Sequence, residues 1–366
     1  MITVPRPAVA IAKPQLGVEE EAAVLDVMRS GALAQGARVK AFEDAFAAVT
    51  GARFAVATSN GTTALYLALL AHGIGPGDEV VTSPLTFIAT GNAIAQTGAI
   101  PRFADVDDTL NLDPAAAEAM ITPRTRALMP VHLHGNPSDM AAFLDIAERH
   151  GLALIQDACQ AIGATISGAP LGTFGTAAYS LYATKNITTG EGGMVITNDP
   201  AVAQKIASLR HQAYSSRAYV HEAVGYNYRM TEMQAAIGLV QLGRLAEITD
   251  RRRANAAYYD AHITSTRFVR PRVAPDSGHV YHQYTLRVAA GSDAERDGVR
   301  EALQEAGVGT GVYYPVPVHR QPAYEGHSNP PCPKAEAAAE DIFSIPVHPL
   351  VSEEDRELVA RAVNAI

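Results

Sequence analysis

Short apolar runs alternate with amphipathic stretches through the first two-thirds of the chain, and this alternation predicts strands separated by helices. Residues 79–82, 102–104, 127–131 and 152–155 read as strands, the first centred on Val80-Val81 and the last reaching Asp157. Residues 42–49, 65–70, 88–96, 114–120 and 140–150 read as helical. Thr62-Thr63 opens one of these helices and Gly73 stops it, Asp113 opens another, and Gly151 ends a third. Residues 179–182 and 194–197 are two further strands. Strands apolar on both faces, with helices between them, imply a mostly parallel sheet wrapped by helices, an α/β fold.

The pattern then changes. Residues 232–259 form one long helical stretch with Gly238 and Gly243 as weak points. After it come a strand (284–288), a helix (294–306) ended by Gly307, a strand (308–314) and closing helices at 334–343 and 353–365. This predicts a large domain over 12–249 and a smaller α+β domain over 250–366, with residues 1–11 as an arm near the small domain. The proline-rich segment 327–333 reads as a surface loop. A chain of 366 residues is long enough for both domains.

Apolar residues make up 48% and charged residues 18%, the balance of a soluble protein. A net charge of −9 with no basic run argues against a nucleic-acid partner, although a local cluster of donors can still bind an anion. Cys159 and Cys332 lie far apart and suggest no disulfide, which fits a reducing, cytoplasmic setting. No apolar run approaches the roughly 18 residues that span a bilayer.

Candidate chemistry centres on Lys185, in Ser180-Leu181-Tyr182-Ala183-Thr184-Lys185-Asn186, followed by a glycine-rich turn. Burial lowers a lysine's pKa and lets it form a Schiff base with an aldehyde. Asp157 ends an apolar strand, where open α/β sheets bind ligands. A carboxylate there caps a turn or pairs with a cationic ring nitrogen, as pyridoxal phosphate (PLP) requires. Ser59-Asn60-Gly61-Thr62-Thr63-Ala64-Leu65 leads into a helix whose first N–H groups are capped locally by Thr62 or Asn60 or hold a phosphate. With Ser180, Gly61 and Thr62 would take the PLP phosphate, and Thr86-Phe87 offers an aromatic face to its ring. Other readings are weaker. Gly73, Gly75 and Gly77 lead into a strand rather than follow one, and Cys159 suits packing better than nucleophilic attack. His132 and His134 lack a third metal ligand at suitable spacing, so no metal is expected.

These segments resemble the DegT/StrS-type family of PLP-dependent sugar aminotransferases, in the aspartate aminotransferase (fold type I) superfamily. The resemblance extends through Thr86-Phe87-Ile88-Ala89-Thr90-Gly91-Asn92, Asp157-Ala158-Cys159-Gln160-Ala161, Gly225-Tyr226-Asn227-Tyr228-Arg229 and Gly311-Val312-Tyr313-Tyr314-Pro315. It implies a mostly parallel seven-stranded sheet in the large domain. Lys185 would be Schiff-base lysine and proton shuttle, Asp157 the ring-nitrogen partner, and Gln160 the neighbour of the ring oxygen. Thr62 and Ser180 would bind phosphate, and Phe87 would stack on the ring. Asn227 would reach the phosphate in a neighbouring subunit, making a homodimer with shared sites the active unit. Arg229 would meet the glutamate carboxylate, and Tyr313 and His319 the sugar. On its own, Asn227 could equally cap the helix that follows, and Arg229 opposes that helix's dipole.

The resemblance further implies transfer of an amino group from L-glutamate to a nucleotide-linked keto-deoxysugar, with pyridoxamine phosphate as the intermediate cofactor form. Residues 187–193 resemble members acting at C4, which favours a 4-keto-6-deoxyhexose over C3 or cyclitol ketones. Related sugar dehydratases carry histidine where Lys185 stands, and a non-catalytic regulator would have no need of Lys185, Asp157 and Asn227 together.

Overall fold

The computed structural model describes residues 8–215, 217, 219–289, 291–325 and 330–366. Seven strands form the main sheet: β1 (Phe54–Thr58), β2 (Glu79–Thr82), β3 (Ile100–Phe103), β4 (Thr125–Met129), β5 (Ala153–Asp157), β6 (Thr176–Ser180) and β7 (Gly193–Thr197). Their order is β1-β7-β6-β5-β4-β2-β3, and only β7 runs against the rest. Successive side chains explain why the sheet is covered on both faces. Ala57, Ala177, Tyr179, Met194 and Ile196 enter one core, while Val56, Ala178, Val195 and Ile155 enter another.

Helices α1 (Val18–Ser30) and α2 (Ala37–Thr50) come first in the chain, and α2 supplies Phe42 and Phe46 to the first core. On the other face lie α3 (Gly61–Ala71), α4 (Ala89–Gln96) and α7 (Pro200–Leu209). Between α4 and α7 in the chain, α5 (Pro114–Ala119) and α6 (Met140–His150) complete a third apolar cluster. Cap residues set their bounds. Asp139 Oδ1 accepts from the Ala142 N–H at 3.0 Å, and Gly151 closes α6 at φ 63°.

The long helical stretch divides into α8 (Glu232–Gly243) and α9 (Leu245–His262), breaking directly after Gly243. At Gly238 the helix continues: a Cβ there would lie 2.6 Å from the Phe42 ring, so the glycine lets α8 lie close on α2. Residue 250 falls inside α9, which passes from one core, through Leu245 and Ile248, to another, through Ala256 and Tyr259. That second core lies under a sheet of β8 (Phe268–Val269), β9 (Tyr284–Val288) and β10 (Ile342–Ile345), with α10 (Asp293–Glu305) and α12 (Glu353–Asn364) against it.

Two expectations are corrected here. Residues 308–314 are not a strand: Val308 bridges Val9 and Gly311 bridges Ser344, each as an isolated pair. Glycines at 309 and 311 favour no pleat, and the larger side chains of the segment divide between two clusters, Val308 in the second core and Val312 and Tyr314 against another. Helix α11 (Pro333–Asp341) stops before Ile342 and Phe343, which pair with β9 instead. Of the expected loop at 327–333, residues 327–329 lie outside the described residues, as do residues 1–7 of the arm. No helix among the described residues is long and apolar enough to cross a membrane.

Candidate active site

Strands β1, β2, β4, β5 and β6 point the same way, so the loops that leave them converge at one edge of the sheet. There they line a 660 Å³ cavity with Gly61, Thr62, Phe87, Asp157, Gln160, Ser180 and Lys185, and the segment after α10 adds Tyr313.

After β1 the chain turns directly into α3. Asn60 Oδ1 accepts from the Thr63 N–H at 2.9 Å, and Thr63 Oγ1 accepts from the Asn60 N–H at 3.2 Å. This cap leaves the Gly61 and Thr62 N–H groups without a partner among the described residues, at the positive end of the helix. A Cβ on Gly61 would lie 2.7 Å from Ser180 Cβ and 3.2 Å from Cys159 Sγ. Only glycine lets the helix start lie against β6.

Asp157, at the end of β5, is buried. Its Oδ2 accepts from Thr90 Oγ1 at 2.7 Å and its Oδ1 from the Cys159 N–H at 3.1 Å. It forms no salt bridge among the described residues. A buried carboxylate held only by a hydroxyl and an amide, facing a cavity, suits a cationic ligand.

Lys185 follows β6 on a turn closed by its own N–H donating to the Tyr182 carbonyl at 2.9 Å. Burial holds its amine below the usual lysine range, and the Asp157 carboxylate opposes that shift. Cys159 is a protonated thiol, because burial and then Asp157 push its pKa well up. Gln160 is tethered at both ends: Oε1 accepts from the His134 N–H at 2.7 Å, and Nε2 donates to the Tyr314 hydroxyl at 3.2 Å. Phe87 is 54% exposed and tilted toward Tyr314, with ring centroids 5.8 Å apart.

Three predicted residues lie elsewhere. Asn227 is exposed, and its backbone bridges His211. It does not cap α8, since that cap is Thr231, whose side chain accepts from the Gln234 N–H at 3.3 Å. Arg229 therefore precedes the helix rather than starting it, and its guanidinium donates to His211 Nδ1 at 2.8 Å. His319 lies outside the cavity lining, buried against Phe103, with Nε2 2.8 Å from Glu336.

The lining also includes Thr90, Tyr228, His282, Gln283 and Tyr314, to which the sequence reading gave no role. Thr90 lies one helical turn beyond Thr86, and its spacing could have flagged it; His282 had no such signal. His132 is fully engaged, with Nε2 on Gln156 and Nδ1 accepting from the Ser138 N–H. His134 Nε2 is 3.0 Å from the Tyr313 carbonyl.

The donor set fits PLP. Free N–H groups and a hydroxyl suit its phosphate, the unpaired carboxylate suits its ring nitrogen, and an amine of lowered basicity suits its aldehyde. Fold and site together define the class of PLP-dependent transferases of α/β architecture. Residues 14–364 match the DegT/DnrJ/EryC1/StrS aminotransferase family, and the chain belongs to that family of PLP-dependent enzymes. Among similar proteins, a pleiotropic regulatory protein of Geobacillus stearothermophilus is 43% identical over 349 residues, covering 93% of this chain and 92% of the relative. GDP-perosamine synthase of Caulobacter vibrioides is 41% identical over 366 residues, covering 98% of each. The crystal structure of S. venezuelae DesV in complex with a ketimine intermediate superposes with a TM-score of 0.91 at 40% identity, covering 95% of this chain and 94% of that one.

Proposed function

We propose that the protein transfers an amino group from L-glutamate to the keto group of a nucleotide-linked deoxysugar, and that this sugar is a 4-keto-6-deoxyhexose. The observation that carries the reading is the half-buried Lys185, its amine pKa lowered by desolvation, sharing one cavity with Asp157 and the free end of α3. The relative that synthesises GDP-perosamine supports a nucleotide-sugar acceptor, and residues 187–193 support C4. The regulatory protein's name points to another role, but a regulator has no use for a lysine of lowered basicity facing a carboxylate.

Bound PLP supplies an electrophilic aldehyde and a protonated ring that draws off the electron pair left on the donor's Cα. Gly61, Thr62 and Ser180 would hold its phosphate, Phe87 would cover its ring, Gln160 would meet the ring oxygen and Asp157 would keep the ring nitrogen protonated. Lys185 Nζ, whose pKa desolvation lowers, takes the Cα proton of glutamate. In the second half of the reaction it returns a proton to the sugar carbon that bore the ketone. Residues 12–249 form the part that binds PLP and residues 250–366 a smaller domain, with Tyr313 lining the sugar side. The two free thiols suit the cytoplasm.

Incubation of the purified, PLP-loaded protein with glutamate and a panel of GDP-, dTDP- and UDP-linked 3-keto and 4-keto sugars should yield 2-oxoglutarate and one 4-amino sugar in equal amounts. Turnover of 3-keto sugars alone would overturn the C4 assignment, and no turnover of any ketosugar would overturn the acceptor class.

The same reading makes the active unit a homodimer. Val18 (77% exposed) and Met28 (57%) leave apolar surface on α1, and Asn227 is exposed outside the lining of its own cavity. Asn227 and Arg229 then serve the partner's phosphate and the glutamate carboxylate. Mixed dimers of Lys185→Ala and Asn227→Leu subunits should regain activity, because one site in each keeps both residues. Dimers that form and stay inactive would show that Asn227 acts within its own chain.

A further inference from the structure

Residues 280–283 are tied down at every position. The Val280 N–H donates to the Gly135 carbonyl at 3.0 Å, and the Gln283 N–H to the His134 carbonyl at 3.2 Å. Asn186 Nδ2 donates to the Val280 carbonyl at 3.0 Å, and Arg252 Nη1 to the Tyr281 and His282 carbonyls at 3.0 and 3.4 Å. Between these ties Tyr281 is held at φ 43°, a left-handed value unfavourable for a bulky residue. Such strain persists only where the surroundings over-determine it. What it presents is the buried His282 ring, in the lining of the cavity that contains Lys185.

The hydrogen bonds also fix the tautomer. Because Asn186 Nδ2 is a donor, Asn186 Oδ1 is the acceptor toward His282 Nδ1, 3.1 Å away, and Nδ1 carries the proton. Burial first, then the charge of Lys185, followed by Arg252, His134 and His279, keep the ring neutral. Nε2 is left with a bare lone pair and no donor within the chain among the described residues. Lys185 has no hydrogen-bond partner for its amine among those residues either, and the other groups bearing on it are the Cys159 thiol and the Asp157 carboxylate.

We propose that His282 is a positioning residue for Lys185: Nε2 accepts a hydrogen bond from the free Lys185 amine and aims it at the reacting carbon. No proton leaves the lysine in this contact, and Asn186 keeps the acceptor nitrogen bare. The inference rests on Lys185 being the acid/base of the proposed transamination.

The test reads Lys185 directly. The full chain, freed of PLP, is labelled across a pH series with fluorodinitrobenzene, and the Lys185 peptide is quantified by mass spectrometry. A neutral acceptor stabilises the ammonium form, so His282→Phe should lower the labelling midpoint by about one pH unit, roughly tenfold in the ammonium-to-amine ratio. His282→Gln, whose amide oxygen can accept, should restore most of the shift, which a merely structural role would not. The glutamate half-reaction of PLP-loaded His282→Phe should slow by at least about tenfold, since a small misplacement of a reacting group costs up to 10²-fold, while PLP affinity stays the same. If His282→Phe does not fold, His282→Asn, too short to reach the amine, carries the same expectation. A folded variant with an unchanged midpoint overturns the inference and leaves the function standing. A wild-type chain that takes up no PLP overturns the function beneath it.

Discussion

Lys185→Ala should abolish turnover, by about 10⁴-fold or more. General acid–base catalysis alone contributes about 10²–10⁴-fold, and in the proposed reaction the same side chain also makes the covalent link to the cofactor, so both are lost together. The fold should survive. Burial lowers the lysine's pKa, so its charged form in the unfolded chain must be neutralised or desolvated on folding. A basic group with a lowered folded-state pKa costs stability below its unfolded pKa, and this cost fades as pH rises toward that value. Lys185→Ala removes the cost, so the cofactor-free variant should melt no lower than wild type at pH 7, less whatever packing the lysine stem supplied. Single-turnover formation of 2-oxoglutarate measures the chemistry, and calorimetric melting of the cofactor-free proteins measures the fold. A variant that melts normally and still converts glutamate at a wild-type rate would remove Lys185 from the reaction.

How much of this was legible in sequence depends on how local each signal is. The end of helix α6 was legible because Gly151 is a cap residue with a fixed backbone demand, independent of what the helix packs on. The place of Asp157 in the cavity was legible because it ends a short apolar strand, where α/β sheets bind ligands; whether it also caps the turn, as it does by accepting from the Cys159 N–H, was not. Gly238 shows the opposite case: from sequence it is a helix breaker, and only the nearness of Phe42 explains it. Residues 308–314 and 342–343 were misassigned for a related reason, since short edge pairings are decided by distant partners such as Val9 and β9. His319 carried a motif position but finds Glu336 in its own neighbourhood, whereas His282 carried no motif and lines the cavity. Strain at Tyr281 and the bonds to Gly135, His134, Asn186 and Arg252 are all long-range, and no pattern along the chain records them. Asn227 stays outside the cavity of its own chain, and its proposed role needs a second copy that no single sequence pattern displays.

Asp157→Asn should keep the fold and lose most of the activity. The neighbours can accommodate an amide: its oxygen can accept from the Cys159 N–H while its nitrogen donates to Thr90 Oγ1. Thr90 Oγ1 in turn can direct its proton to the Phe87 carbonyl, 3.2 Å away. No buried donor or acceptor is stranded, so the melting temperature should move little. What changes is the face toward the cavity. A carboxylate stabilises a protonated ring nitrogen by a charge-assisted bond worth about 1.5–3 kcal/mol, and a neutral amide does not. Weaker protonation of the ring also weakens its pull on the Cα electron pair, so the loss of rate should exceed the roughly 10- to 150-fold that the bond alone represents. PLP should still bind through the proposed phosphate cradle of Gly61, Thr62 and Ser180, with its near-ultraviolet and visible absorption displaced. The decisive measurement is the rate at which Cα-deuterated and undeuterated glutamate convert the bound cofactor. Slower conversion with a larger isotope effect than wild type places the damage at proton removal, where Asp157 is argued to act. Wild-type rates and isotope effects would reduce Asp157 to a turn residue holding Cys159 and Thr90, and the cavity would need another partner for the ring.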